Sequence, residues 1–176
     1  MAGDARIPRV GGTAADAGGN SPALYTPEER RRRDESRWTL VQAILAPLQF
    51  LIFIVSLGLV LRCLATGEGL WLADASIVAK TAALYAIMVT GSIWEKEVFG
   101  RWLFAPAFYW EDVFSMLVLA LHTAYLVMLL GGYGSVEERL LVALAGYAAY
   151  VINAGQFLLK LRAARLQASG QMVAAG

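Results

Sequence analysis

Two adjacent carboxyl groups, Glu111 and Asp112, stand in a long apolar run of this chain, and its single histidine, His122, follows eleven residues after Glu111. Eleven residues are almost a whole number of helical turns, so Glu111 and His122 share one helical face. Ser115 and Val118 lie on the same face. The rise from Glu111 to His122 is about 16 Å, too long for one small substrate but suitable for a flat ligand about as wide as a tetrapyrrole.

Paired carboxyls in an apolar layer are suited to acid–base catalysis. An ionised side chain is costly there, so Glu111 and Asp112 need either a function or a partner. A carboxyl that keeps its proton can act as a general acid, and an ionised neighbour can act as a base. The structural alternative puts both at the lipid headgroups, paired with Lys96 or Arg101. For His122 the alternatives are a ligand to a metallated macrocycle, a proton carrier, or a hydrogen bond between helices.

Four further polar residues interrupt the apolar runs. Lys80 has two interpretations. It would either bind a substrate carboxylate or extend its ammonium group to the far membrane face, and the second interpretation is favoured. Glu95 is a second candidate base or an interfacial ion-pair partner. Asn153 and Gln156 hold a water or a ring carbonyl, or they bond between helices.

The composition is that of an integral membrane protein. Of 176 residues, 58% are hydrophobic and 16% charged, and the apolar residues come in blocks of membrane-spanning length. The net charge of +1 gives no reason to expect nucleic acid as a partner. Cys63 is the only cysteine, which excludes an internal disulfide and a CxxC motif.

The pattern predicts an all-α fold, a bundle of four transmembrane helices. Thr26 and Pro27 are typical of a helix start, and they open a basic amphipathic surface helix over residues 25–37. Residues 1–24, rich in Gly, Ala and Pro, are predicted to be a disordered tail. The transmembrane domain is predicted over residues 38–167 and a flexible C-terminus over 168–176. The four predicted spans are 38–61, 73–94, 107–130 and 140–159.

Arginine and lysine set the predicted orientation, since these residues concentrate in cytoplasmic flanks. They are abundant before the first span, between the second and third, and after the fourth, whereas the other side has only Arg62 and Arg139. Both termini are therefore predicted to be cytoplasmic. Gln42, Gln49 and Ser56 recur every seven residues and share one face that should turn inward. With the carboxyls they predict a polar pocket in the cytoplasmic half of the bundle.

Five segments give the chain a resemblance to a known family, the vinyl bacteriochlorophyllide hydratases, over about residues 25–167. The segments are RDESRWTLVQAILAPLQF (33–50), TGSIWEKEVFG (90–100), FAPAFYWEDVFSM (104–116), LHTAY (121–125) and YVINAGQFLLK (150–160). The resemblance implies addition of water to the C3-vinyl group of chlorophyllide a or a bacteriochlorophyllide, giving a 1-hydroxyethyl group in bacteriochlorophyll a biosynthesis. It implies a multi-pass protein of the bacterial inner membrane, with a magnesium tetrapyrrole and membrane lipid as its partners.

The reaction suggests roles for the polar residues. Glu111 would be the acid, Asp112 the base or water-orienting group, and Glu95 the reserve base. His122 would ligate the magnesium of the substrate, and no metal or organic cofactor of the protein's own is required, because hydration changes no oxidation state overall. The other expected substrate-binding residues are Asn153, Gln156, Gln42, Gln49, Trp110 and Lys80.

Other functions remain compatible with these residues. A pigment-binding or assembly subunit would use His122 without acid–base chemistry. A small proton-coupled transporter would use Glu111, His122 and Lys80 as a relay, and a quinone-site membrane anchor is a third alternative. A homo-oligomer, or association with other enzymes of the pathway, is compatible with a bundle too small to enclose a macrocycle.

Overall fold

The computed structural model describes residues 24–174, and within them it contains helices and no strand. The predicted all-α architecture is therefore confirmed for this part of the chain. Four of the helices are long and apolar enough to cross a membrane, as expected of a multi-pass membrane protein. The five helices are α1 (Pro27–Glu35), α2 (Arg37–Thr66), α3 (Leu70–Phe99), α4 (Tyr109–Gly131) and α5 (Val136–Ala174).

Polar caps set the start of the helical part of the chain. The Thr26 hydroxyl accepts a hydrogen bond from Glu29 N, and the Glu29 carboxylate accepts one from Thr26 N, which together form a capping box with Pro27 in the first turn. This is the helix start that the sequence predicts. Ser36 then separates α1 from α2, and its hydroxyl accepts from Trp38 N.

Helices α2, α3 and α5 exceed the predicted spans at both ends, whereas α4 nearly coincides with its predicted span. Helix α5 is the extreme case, since it reaches Ala174 and runs on through most of the segment predicted to be a flexible C-terminus. The tail predicted over residues 1–24 lies outside the described residues except for Leu24, and residues 175–176 also lie outside them.

The bundle consists of two antiparallel hairpins. Helices α2 and α3 form the first and α4 and α5 the second, and contact within each hairpin is more extensive than contact between them. Gly132 ends α4 with φ 66°, a left-handed conformation that glycine adopts without strain. The loop of residues 100–108 joins the hairpins, on the side that also carries α1 and the last turns of α5. The aromatic rings of Phe53, Tyr147 and Tyr150 meet in the core between the hairpins.

Polar contacts hold the two hairpins together at several depths. We call this set the seam; it comprises Glu95 with Asp112, Tyr85 with Thr123, Lys80 with Tyr150, Ser56 with Tyr147, and Asp74 with Tyr125 and Arg139. Large apolar side chains point outward instead, for example Leu40, Leu51 and Val55 of α2. Polar groups avoid lipid by turning inward, so the seam is where the bundle can receive the polar groups of a ligand.

Candidate active site

Two buried carboxyl groups from different hairpins meet at the loop end of the bundle. The side chains of Glu95 in α3 and Asp112 in α4 are buried and close enough for a hydrogen bond between them. A carboxylate has no donor, so this bond requires that one of the two groups carry a proton. We call Glu95 and Asp112 the carboxyl pair. A shared, transferable proton in a buried setting is what an acid–base catalyst needs.

The loop of residues 100–108 supplies backbone donors to the carboxyl pair. Phe104 N donates to Asp112 Oδ2 at 2.7 Å, and Ala105 N donates to Glu95 Oε2 at 3.2 Å. Phe104 has φ 59°, a left-handed backbone that a bulky side chain rarely adopts. Such a conformation persists only when its surroundings hold it, and here the amide of Phe104 itself is bound to Asp112. The loop therefore fixes both carboxyls in position.

Glu111 has a different partner. Lys160 Nζ, from α5, lies 2.6 Å from Glu111 Oε2. Lys160 also donates to the carbonyl oxygen of Ala107 and stands 5.0 Å from the centre of the Phe108 ring. The alternative pairing of Glu111 with a cation of the loop side is not observed, because Lys96 Nζ donates to Gly100 O at the end of its own helix.

A groove of about 380 Å³ opens beside the Glu111–Lys160 pair. Gln156 contributes its amide, and Gln156 Oε1 is buried without a hydrogen-bond partner. This volume is too small for a whole tetrapyrrole, so it suits one edge of a flat ligand and a water beside it. The residues that line the groove are Leu24, Glu111, Gln156, Leu159, Lys160, Ala163 and Ala164.

The inner face of α4 continues from the carboxyls toward the middle of the bundle. Glu111, Ser115, Val118 and His122 are all buried, which confirms the shared face that their spacing predicts. Asn153 Nδ2 donates to Ser115 Oγ at 2.8 Å, while Asn153 Oδ1 is buried with no partner. That oxygen is free to accept a hydrogen bond from a water or ligand.

His122 presents one nitrogen as a free ligand. Its Nδ1 lies 2.8 Å from the carbonyl oxygen of Val118, and a carbonyl can only accept, so Nδ1 donates. Its Nε2 is therefore the lone-pair nitrogen, and it is buried without a hydrogen-bond partner among residues 24–174. Metal-ligating histidines show this arrangement, with the second nitrogen bound to a carbonyl. Gly146 provides the space, because a Cβ there would lie 3.0 Å from His122 Cε1.

The remaining predicted site residues differ in how deeply they are buried. Lys80 does not extend to the membrane face: it is fully buried, with Nζ 3.6 Å from the centre of the Tyr150 ring. Gln49 is buried, whereas Gln42 is half-buried and donates to Thr90 Oγ1. Trp110 is 65% exposed, so it lies outside the buried site.

Sequence reasoning did not identify two of the buried ion pairs. Lys160 counted only as a basic flanking charge, although Asn153, Gln156 and Lys160 recur at helical spacing and lie on one face of α5. Asp74 accepts hydrogen bonds from Tyr125 OH at 2.6 Å and from Arg139 at 3.1 Å. Asp74 lies at the start of the predicted span 73–94, and its sequence position does not indicate that it contacts two other helices.

No three His, Cys, Asp or Glu side chains lie close enough to hold a metal ion anywhere in the described part of the chain. The candidate ligand for a metal is the single nitrogen of His122. One imidazole suits the axial position of a metal that a macrocycle already holds.

The family model that matches the chain is described as 2-vinyl bacteriochlorophyllide hydratase (BCHF), and it covers residues 25–163. A curated protein of that name from Rhodobacter capsulatus is 66% identical over 149 residues, which are 85% of this chain and 86% of the relative. Another of that name from Cereibacter sphaeroides is 68% identical over 143 residues, 81% of this chain and 89% of the relative. No solved structure matches. A family match over most of the chain and two such relatives establish that the chain belongs to the 2-vinyl bacteriochlorophyllide hydratase family.

Proposed function

We propose that this chain adds water to the vinyl group of a bacteriochlorophyllide at the carboxyl pair, with the macrocycle lying along the seam between the hairpins. As a member of its family, the chain is a hydratase of bacteriochlorophyll synthesis. The observation that carries the proposed site is the close approach of two buried carboxyls, Glu95 and Asp112, because a hydrogen bond between them requires a shared proton.

Hydration of a vinyl group requires that one proton be added to a vinyl carbon and that one proton be removed from the attacking water. Protonation of the outer vinyl carbon leaves a cation on the inner carbon, which the conjugated ring delocalises. Water attacks that carbon, loses a proton, and the product is a 1-hydroxyethyl group. The catalyst gives one proton to the vinyl carbon and takes one proton from the water, so one acid–base unit can perform both steps.

The carboxyl pair is suited to that cycle. Its shared proton passes to the vinyl carbon, and the pair is then left with two negative charges. The amides of Phe104 and Ala105 already donate to these carboxyls and so favour the ionised form that arises during the reaction. The pair next takes a proton from the attacking water and returns to its starting state.

Glu111 has a supporting role in this proposal. To donate a proton it would have to give up its 2.6 Å ion pair with Lys160. The Glu111–Lys160 ion pair stands beside the groove and orients a water for attack. Gln156 Oε1 and Asn153 Oδ1 act with it as acceptors. The sequence-based hypothesis that Glu111 is the acid stays a prediction, and neutral variants of the three carboxyls distinguish it from the carboxyl pair.

His122 is proposed to hold the substrate through its central magnesium. The proposal rests on the buried lone pair of Nε2 and on the Nδ1 hydrogen bond that fixes the ring. Axial ligation would orient the macrocycle, which limits its rotation and directs the vinyl edge toward the loop end. The metal belongs to the substrate and takes no part in the hydration step.

The orientation in the membrane is part of the proposal. The basic residues of the flanks favour a cytoplasmic location for α1, the loop of residues 100–108 and the end of α5. The carboxyl pair and the groove would then lie near the cytoplasmic surface of the bacterial inner membrane, where water is at hand. A homo-oligomer and contacts with other enzymes of the pathway stay predictions.

The test is turnover by the purified protein. Detergent-solubilised protein is incubated with chlorophyllide a in buffer without added cofactor, and the pigment is analysed by chromatography and mass spectrometry. A product heavier by one water, formed only with active protein, is expected. Tight pigment binding with no change of mass would instead indicate a pigment-binding subunit and would overturn the mechanism.

A further inference from the structure

Lys80 is a cation buried in the bundle without an anion. It is 0% exposed, and its Nζ has no hydrogen-bond partner among the described residues. Its Nζ makes a cation–π contact with Tyr150, 3.6 Å from the centre of the ring. A ring face attracts a cation, but more weakly than a carboxylate does in a desolvated site.

Two other buried or half-buried cations, Arg139 and Lys160, each have an anionic partner. Arg139 is paired with Asp74 near one end of the bundle, and Lys160 is paired with Glu111 near the other. Breaking or omitting the partner of a buried charge is strongly unfavourable, and charged residues within membrane spans usually mark a functional site. The fold therefore leaves one position in its interior where a negative charge is missing.

A second unpartnered donor among the described residues lies on the face of α2 that packs on the Tyr150 ring. Phe53 packs on Tyr150 with 5.0 Å between ring centres, and Gln49 is one helical turn from Phe53 on the inward face of α2. Gln49 is 4% exposed, and its Nε2 is buried without an acceptor. An ammonium group and an amide NH₂, both without acceptors, are complementary to a group that only accepts, such as a carboxylate.

Lys80 lies at a depth where a flat pigment could place one of its side chains. The ring that Lys80 contacts, Tyr150, and Lys160 beside the groove are ten residues apart on α5, so they are separated by about 15 Å along the helix. His122 lies about one turn beyond Tyr150, further from Lys160, because its ring is 5.7 Å from that of Tyr147. A macrocycle held by His122 could therefore reach Lys80 with one of its side chains.

We infer that Lys80, assisted by Gln49, binds the propionate carboxylate of the chlorophyllide, so that the enzyme selects the free acid over an ester. The inference rests on the proposed function, since it takes the same macrocycle in the same seam. Chlorophyllides are free acids, and the ring that carries the propionate is next to the ring that carries the vinyl group. Binding this carboxylate would therefore also fix the direction in which the vinyl group points.

The test compares the binding of two ligands by the wild-type protein and by lysine variants. The probes are chlorophyllide a and its methyl ester, each with the vinyl group reduced to ethyl so that neither can be hydrated. Their dissociation constants are measured by absorbance titration of the solubilised protein. Wild-type protein should bind the acid about 10- to 100-fold more tightly than the ester, as for a hydrogen-bonded charge. In Lys80→Met the acid should bind as weakly as the ester, with the ester unchanged.

The controls separate this inference from the function itself. Lys96→Met, at the exposed end of the same helix, should keep the preference for the acid. Equal binding of acid and ester by the wild type, an unchanged preference in Lys80→Met, or a preference lost only in Lys160→Met would overturn the inference. If Lys80→Met does not fold, Gln49→Leu makes the same comparison and should lose part of the preference. Turnover of chlorophyllide a is measured separately, so a hydratase that ignores the carboxylate and a protein that is no hydratase give different results.

Discussion

At the scale of single residues, the chemistry depends on where one proton resides. Three carboxyls cluster at the loop end of the bundle, yet their partners differ. Glu95 and Asp112 bond to each other, and Glu111 bonds to Lys160. The sequence places all three carboxyls near one another in depth and offers Lys96 or Arg101 as partners for Glu111 and Asp112. In the structure Glu95 and Asp112 come from different hairpins, and Lys160 comes from α5, 49 residues after Glu111.

Neutral variants of the carboxyls test this division of roles. Glu95→Gln and Asp112→Asn should each lower kcat about 10²- to 10⁴-fold, because an amide can bond to the remaining carboxyl but has no proton to transfer. Glu111→Gln should cost less and should act partly on KM, because it removes only the partner of Lys160. Single-turnover rates with chlorophyllide a provide the measurement.

Glu97→Gln is the matched control for these variants. Glu97 is exposed, two residues from Glu95, and it accepts a hydrogen bond from the Ser36 hydroxyl that a glutamine oxygen could equally accept. Its turnover should equal that of the wild type. If Glu111→Gln abolished turnover while Glu95→Gln and Asp112→Asn kept most of it, the acid would be Glu111, and the carboxyl pair would be only structural.

At the scale of the elements, two local features position the site. The loop of residues 100–108 directs two backbone amides at the carboxyl pair, which requires a left-handed Phe104. On α5, Gly146 makes room for the His122 ring of the neighbouring helix. The sequence shows which residue is a glycine or a phenylalanine, but not which side chain of another helix stands against it.

The close contact at Gly146 predicts the effect of one methyl group. In Gly146→Ala the new Cβ would lie 3.0 Å from His122 Cε1 and Nδ1, so the imidazole must move. Overpacking of this kind costs about 1–3 kcal/mol, which corresponds to roughly tenfold weaker pigment binding or more if that cost falls on the bound state. The measurement is an absorbance titration with the ethyl analogue of chlorophyllide a.

Gly155→Ala is the control on the same helix, since a Cβ at Gly155 meets nothing within 4 Å. A magnesium-free analogue adds a second comparison. Because it has no metal for His122 to ligate, Gly146→Ala should weaken its binding much less. Equal losses for the magnesium and magnesium-free pigments would contradict the proposed axial ligand.

At the scale of the whole molecule, the protein is two apolar hairpins joined by polar contacts. The triad of Asp74, Tyr125 and Arg139 links α3, α4 and α5 at the end opposite the carboxyl pair. Both charged side chains are mostly buried, with 18% of Asp74 and 12% of Arg139 exposed. The triad is distant from the proposed chemistry, so its role is to hold the hairpins in register.

Removing this triad should destabilise the bundle and leave the chemistry of the folded protein intact. Asp74→Leu leaves Arg139 without its carboxylate and should cost about 3 kcal/mol, as for one partner of a largely buried pair. The measurement is the Tm in detergent, together with kcat below the transition. Arg62→Gln, an exposed cation at the same end, should change neither. A large loss of kcat at unchanged Tm would contradict a purely structural role.

The proposed orientation predicts which positions a membrane-impermeant thiol reagent can reach. In a Cys63→Ala background, Glu68→Cys and Tyr133→Cys should react in intact cells, because both exposed turns would face the periplasm. Arg31→Cys and Arg101→Cys should react only in inverted membrane vesicles. Reaction of the second pair in intact cells would reverse the orientation and move the carboxyl pair to the periplasmic side.

The sequence by itself determined the helical membrane architecture, the start of α1 at Thr26, and the inward face that carries Glu111 and His122. These properties depend on hydrophobicity, helical periodicity and capping, all of which are local along the chain. The family resemblance added the reaction. Only the tertiary structure decided that Glu95 meets Asp112, that Lys160 neutralises Glu111, and that Lys80 is enclosed without an anion. Those relations join residues from 17 to 70 positions apart, and they depend on how antiparallel helices align and rotate when they pack.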